Sequence, residues 1–358
     1  MIFLINKCLN FKIFNFISYR IIFSLITSFF INLFIGPYII SCFKKLQNFQ
    51  IIRTNGPIGH LKKNTTPTMG GILIIISICL SVLLYCDLYN VYIWYVIFII
   101  LGYGVIGFLD DYKKIKFNNS HGLKVLYKFF GLSIIAIFII YIMHLNQANK
   151  IDLELIIPFY KKIIVKINYF YIFLSYFVIV GTSNSVNLTD GLDGLAIMPV
   201  IFISSGLGLI AFLSSENCLR NDINIFHLKQ ANELSVLCAS IVGSGLGFLW
   251  FNAYPAKIFM GDVGSLSLGG ALGIISILLH QELLLLIMGG IFVVETISVI
   301  LQIAYFKFKK KRMFKMAPLH HHYEIKGLSE NLITIRFWIV SFILLLIGII
   351  SLRIHDAI

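Results

Sequence analysis

Residues 92–111 read YIWYVIFIILGYGVIGFLDD, an unbroken run of apolar and small residues closed by two adjacent carboxylates, Asp110 and Asp111. A helix needs roughly 20 apolar residues to cross the hydrocarbon of a bilayer, where backbone groups must satisfy one another. The run is therefore a membrane span that ends in acid. Inside it, Gly102-Tyr103-Gly104-Val105-Ile106-Gly107 has the spacing of a dinucleotide-binding loop. That loop must follow a strand and open a soluble helix, and neither condition holds here. Within a span, glycines let neighbouring helices approach closely. The same packing role is expected of Gly243-Ser244-Gly245-Leu246-Gly247 and of Gly269 to Gly273.

Working outward, the pattern repeats. The chain has 358 residues, 58% of them hydrophobic and 13% charged, against about 25% charged in a soluble domain. Ten spans are expected, at 21–43, 70–86, 92–109, 125–144, 168–187, 195–213, 232–251, 265–280, 284–306 and 332–352. This is an all-α polytopic membrane protein, read as one catalytic domain over residues 1–358. Glu295 falls inside the ninth span, where a helix-centre acid costs roughly 2.5–3.5 kcal/mol on insertion scales, so it is expected to face protein or water. The formal charge of +13 has no basic face on a soluble fold to serve, which argues against nucleic acid as a partner. It fits Lys and Arg gathered at cytoplasmic span ends, against anionic membrane lipids. The clusters from Lys44 to Lys63 and from Lys307 to Lys315 put the odd-numbered loops in the cytoplasm. The six cysteines have no metal or redox spacing.

A parity follows. Asp110, Asp111, Asp190, Asp193, Asp262 and the histidines 320–322 all fall in odd-numbered loops, so one face of the membrane carries the chemistry. Adjacent carboxylates at a membrane boundary repel and are desolvated, and a divalent cation or a cationic partner relieves both problems. A solvated helix end beside lysines is the plain alternative. In the segment from Asn184 to Leu195, Asp190 and Asp193 are three apart between glycines and amides, oxygen donors that suit Mg²⁺ or the edges of a nucleotide; a capped turn between helices is the alternative. Asp262, in a short glycine-bounded loop, could simply cap the eighth span. His320, His321 and His322 are adjacent and point in different directions on a helix, so a shared zinc is disfavoured and contact with phosphate or sugar preferred. Thr68 and Lys63 lie in a polar loop that opens the second span, a place able to hold an anion.

Together these motifs resemble the polyprenyl-phosphate hexosamine-1-phosphate transferase superfamily. The likeness runs from Thr66-Pro67-Thr68-Met69-Gly70-Gly71 through Asp110-Asp111, Asn187 to Asp193 and Asp262, to Phe337-Trp338. Ala317-Pro318-Leu319-His320-His321-His322-Tyr323-Glu324 points to the branch that transfers phospho-N-acetylmuramoyl-pentapeptide. What the resemblance implies is ten spans, Mg²⁺ dependence, a homodimer and a cytoplasmic cleft in a bacterial inner membrane. It also implies the reaction: UDP-N-acetylmuramoyl-pentapeptide and undecaprenyl phosphate give lipid I and UMP. By motif match Asp110, Asp111 and Asp262 are the catalytic acids, with Asp262 the magnesium ligand. Lys63, Thr68, Asn187, Asp190, Asp193, Asn252 and Phe259 fall on the family's substrate pocket, Lys114 and Lys128 on its phosphate lysines, and His320, His321 and His322 on its histidine motif. Thr65 departs from the glycine usual before Thr66.

Exchanging one phosphate linkage for another needs no energy source. A phosphate monoester with a second pKa of about 6 is already mostly dianionic at pH 7, so direct attack by the lipid phosphate is preferred to a phospho-aspartate. Three rivals differ in kind. A sister enzyme would transfer N-acetylglucosamine-1-phosphate, and the histidine motif speaks against it. An intramembrane prenyltransferase would also bind magnesium but would release no nucleotide. A transporter would want its acids at mid-membrane.

Overall fold

The computed structural model describes residues 12–46, 66–117, 122–146, 154–159, 164–166, 170–215 and 228–352. Its helices are α1 Ile17–Lys45, α2 Gly71–Tyr85, α3 Val91–Lys116, α4 Val125–Asn146, α5 Phe170–Thr189, α6 Ile197–Ser215, α7 Asn232–Asn252, α8 Gly261–Leu278, α9 Glu282–Met288, α10 Gly290–Lys309, α11 Leu319–Ile325 and α12 Glu330–Ser351. Every expected span has its helix. The short α2 has 15 residues, and among the described residues nine other helices are long and apolar enough to cross a membrane. A two-stranded antiparallel hairpin, β1 Glu154–Ile156 with β2 Ile164–Lys166, pairs Glu154 with Lys166. It is a small addition to an otherwise all-α protein.

Several boundaries move by a few residues, and two changes are larger. The third span was expected to stop at Leu109, yet α3 continues through both aspartates to Lys116. Lys113, Lys114 and Lys116 fill its last turn, where cations complement the helix dipole, and Lys114 pairs with Asp110 and Asp111 at i,i+4 and i,i+3. Asn90 starts the helix, its side chain accepting the Tyr92 N–H at 2.9 Å. The ninth span is divided at Gly289 into α9 and α10.

Two nearly buried helices form the axis of the bundle. α8 packs between α3 and α5, and α7 between α1 and α6. With no hydrophobic drive between helices in lipid, close approach at small residues supplies the packing. A methyl at Gly107 would overlap the carbonyl of Asp262, so α3 can graze the start of α8 only as glycine. Gly269 and Gly273 let α8 lie on α5, where a methyl would come 2.7 Å from Cα of Ser183 and 2.9 Å from Cα of Ile179. The glycine motifs are packing devices, as their place in spans requires. Polar contacts add to this. Asn32 on α1 donates to Ser77 of α2 at 2.7 Å and to Ser244 of α7 at 3.2 Å. Such interhelical bonds contribute about 0.6 kcal/mol each on average in a membrane. At the far end Arg20 and Glu233 form a buried ion pair at 2.8 Å. Large apolar side chains such as Phe34, Phe130, Ile134 and Ile339 stay exposed on the perimeter, which is the lipid-facing surface.

One end of the bundle gathers the C-termini of α3, α5 and α7 with the N-termini of α4, α8 and α12. Ser329, just before α12, is exposed there, and Tyr89, between α2 and α3, is 78% exposed at the opposite end. In a variant otherwise free of cysteine, Tyr89→Cys should react with an impermeant maleimide on intact cells. Ser329→Cys should react only after permeabilisation. The opposite pattern would invert the orientation.

Candidate functional site

The loop from Ala253 to Met260 is sewn to the start of α2 by backbone pairing. Phe259 N–H donates to Pro67 at 2.9 Å, while Gly70 and Gly71 donate to Phe259 and Met260, each at 2.8 Å. Gly261 then turns into α8 with φ +72°, and a methyl there would lie 2.5 Å from Asp111 Oδ2 and 3.0 Å from Thr68 Oγ1. This turn delivers Asp262, in the first turn of α8, to the acids of α3. One oxygen from each of Asp110, Asp111 and Asp262 lies within 4.8 Å of the others. Asp262 does not cap its helix: the N-cap position is Met260, and no side chain bonds there.

Two ammonium groups and an amide hold the cluster. Lys114 Nζ stands 2.5 Å from Asp110 Oδ2, 3.5 Å from Asp111 Oδ1 and 3.1 Å from Asp262 Oδ2. Lys128, on α4, reaches the same Asp262 oxygen at 2.6 Å. Asn187 on α5 donates to Asp262 Oδ1 at 2.9 Å and to Ser265 Oγ at 2.8 Å. Leu123 N–H donates to Asp110 Oδ1 at 2.8 Å and Val263 N–H to Asp111 Oδ2 at 3.3 Å. Each carboxylate oxygen of the three acids therefore already has a partner.

Asp190, just past α5, adds a fourth carboxyl. Burial, and then the negative charges of Asp262, Asp111 and Asp193, push its pKa up to about 8. The three clustered carboxyls and Asp190 offer only hard oxygen donors, set beside two lysines. That donor chemistry fits Mg²⁺, and Asp110, Asp111 and Asp262 are the residues able to share the ion.

The remaining expected residues divide. Asp193 is engaged elsewhere as well: its Oδ2 accepts the Ala256 N–H at 2.9 Å, and its own N–H donates to Glu330 Oε1 at 3.2 Å. Asn252 bridges Gly194 N–H at 3.1 Å and the Ile258 carbonyl at 2.8 Å, and Trp338 Nε1 donates to Gly194 O at 3.0 Å. These contacts fix the 190–194 turn. Thr68 and Phe259 line the seam beside it. Lys63 and Thr65 lie outside the described residues.

The three histidines diverge. His321 Nδ1 is 2.7 Å from Glu324 Oε2, and His322 Nδ1 accepts the Lys315 N–H at 3.1 Å. His320 does not overhang an open cleft. It is fully buried on α11, its ring filling the space where a side chain on Gly191 would be. Beneath it is Glu295, also fully buried and facing protein. Sequence reasoning left Glu295 without a partner and passed over Gly191, Ser265 and Glu330. A lone acid in an apolar run was the only available signal for the first, and for the others there was none.

Asp262→Asn should lower turnover at least about a hundredfold, roughly 2.7 kcal/mol of transition-state stabilisation, with folding retained. Gly191→Ala, which drives a methyl into the His320 ring, should cost at least about tenfold. Initial rates on detergent-purified, monodisperse protein check both, and wild-type rates would remove these residues from the site.

A family model described as glycosyl transferase family 4 matches residues 93–280, the stretch that carries Asp110, Asp111, Asp190 and Asp262. Similarity extends further along the chain. Proteins described as phospho-N-acetylmuramoyl-pentapeptide-transferase from Buchnera aphidicola subsp. Acyrthosiphon pisum, strains 5A, Tuc7 and APS, are each 64% identical to it over 356 residues. Each alignment covers 99% of this chain and 100% of the relative.

Proposed function

Because the chain belongs to glycosyl transferase family 4 and, within it, to the phospho-N-acetylmuramoyl-pentapeptide-transferases, we propose that it draws its substrate from a UDP carrier and passes it to undecaprenyl phosphate at the cytoplasmic face of a bacterial inner membrane. It is a multi-pass membrane transferase of lipid I synthesis. The observation that carries the finer reading is the acid–lysine cluster at one end of the bundle: Asp110, Asp111 and Asp262 with Lys114 and Lys128. Acids at one face rather than at mid-membrane are what transfer between a soluble nucleotide and a lipid requires. The full-length identity, which includes the histidine segment, favours this branch over a sister enzyme using N-acetylglucosamine-1-phosphate.

In this reading an oxygen of the lipid phosphate attacks the phosphorus that carries the sugar. A new phosphoanhydride bond forms, the old one breaks, and UMP leaves with the electron pair. The attacking monoester is mostly dianionic at pH 7, so no residue must remove a proton. The partnered carboxylates speak for the same route, since an aspartate nucleophile would first have to give up its N–H or ammonium contact. Lys114 and Lys128 are placed to donate to phosphoryl oxygens as charge shifts. Asp262, with Asp110 and Asp111 beside it, would hold Mg²⁺, whose charge neutralises the same oxygens. Asn187 keeps the Asp262 carboxylate in place. The homodimer implied by the resemblance is part of this reading.

Purified protein given undecaprenyl phosphate and UDP-N-acetylmuramoyl-pentapeptide should release UMP and form a lipid-linked product. Release should stop with EDTA and return with Mg²⁺, and UDP-N-acetylglucosamine should be a poor substrate. A preference for the smaller sugar would sink the lipid I reading, and activity that survives EDTA would sink the magnesium reading.

A further inference from the structure

A buried carboxylate needs partners, because an unpaired one in an apolar bundle is expensive. Glu295 finds them outside its own helix. Its Oε2 accepts the Leu319 N–H at 2.7 Å and its Oε1 the His320 N–H at 3.1 Å. The same Oε2 lies 3.4 Å from His320 Nδ1. Both oxygens are thus directed at the start of the histidine segment, 24 residues further along the chain. Pro318, which precedes that segment, has no N–H to offer. Above Glu295 the His320 ring fills the place of a Gly191 side chain, and Gly191 follows Asp190, whose N–H closes the end of α5 on Val186 O at 3.1 Å. The contacts run from Glu295 through His320 to the 190–194 turn, and the turn closes the helix whose Asn187 holds Asp262.

We propose that Glu295 is a positioning residue for the transfer reaction, acting through His320 on the turn that carries Asp190. The inference rests on the function proposed above. Glu295 touches none of the acids or lysines, and its work is geometric. Two charge-assisted hydrogen bonds fix where the His320 backbone begins, and this fixes where its buried ring meets the turn. Residues that orient others in this way typically change activity by about 10–100-fold when removed. The assignment also gives a lone acid in an apolar run a reason to be there.

The test compares Glu295→Ala, Glu295→Gln and Glu295→Asp with His320→Ala and with the double variant Glu295→Ala/His320→Ala. Glu295→Ala should lower kcat by about 10–100-fold, with a smaller change in the KM for UDP-N-acetylmuramoyl-pentapeptide. Glu295→Gln, which keeps the length and an acceptor oxygen, should stay within about fivefold of wild type. Glu295→Asp, which keeps the charge but withdraws the acceptors, should do worse than Gln. The double variant should be no slower than His320→Ala alone, and amide exchange at Leu319 and His320 should quicken in Glu295→Ala whatever the substrate. Multiplying defects in the double variant, or Asp matching or exceeding Gln, would overturn the proposal. Should Glu295→Ala not fold, the Gln and Asp pair decides. Wild-type protein inactive on this substrate would instead refute the function, with amide exchange still reporting on the contact.

Discussion

Asp262 is where the structure's competing demands meet. Its carboxylate takes two lysines on one oxygen and Asn187 on the other, and those partners come from α3, α4 and α5. A charge near lipid is tolerated only when it is paired or faces water. Holding this one in place therefore ties three helices to the start of a fourth. The same bonds gather Lys114 and Lys128 at one point. A single electrostatic constraint organises both the end of the bundle and the chemistry there.

That constraint could not act without close packing beneath it. Asp262 reaches α3 because Gly107 has no side chain to collide with its carbonyl, and α8 reaches α5 because Gly269 and Gly273 have none either. In lipid, where apolar helices gain little by hiding from solvent, small residues and buried hydroxyl or amide contacts such as Asn32 with Ser77 provide specificity. The glycines that mimic a nucleotide-binding loop serve the site indirectly, by letting backbones touch. His320 and Gly191 repeat the device at the end of the bundle: a buried ring occupies the volume a missing side chain leaves.

Much of the site was legible because its residues are chemically conspicuous. Paired acids at the end of an apolar run stand out, and so do amides beside glycines and three adjacent histidines. Their shared end of the bundle followed from counting spans. The resemblance named Lys114 and Lys128, which proved to contact Asp262. Less legible was how each residue is engaged. Asp190 and Asp193 look equivalent in sequence, yet burial raises the pKa of the first, while the second secures the loop at Ala256. His320 looks like a residue for substrate and is buried, and Glu295 looks like a stray charge and is an anchor.

By itself the sequence determined the all-α membrane class, where the spans lie and which conspicuous polar residues close them. These depend on hydropathy, charge and parity, which are properties of local stretches and accumulate along the chain. Only the tertiary structure decided that α3 runs on through its aspartates, that the ninth span breaks at Gly289, and that Glu295 meets the backbone of Leu319 and His320. Each of these depends on what a residue far away in the chain offers at a distance of about 3 Å. Hydrogen bonds and ion pairs are short-ranged and directional, so the sequence shows that a buried acid needs a partner, and only the packed chain shows which one it has.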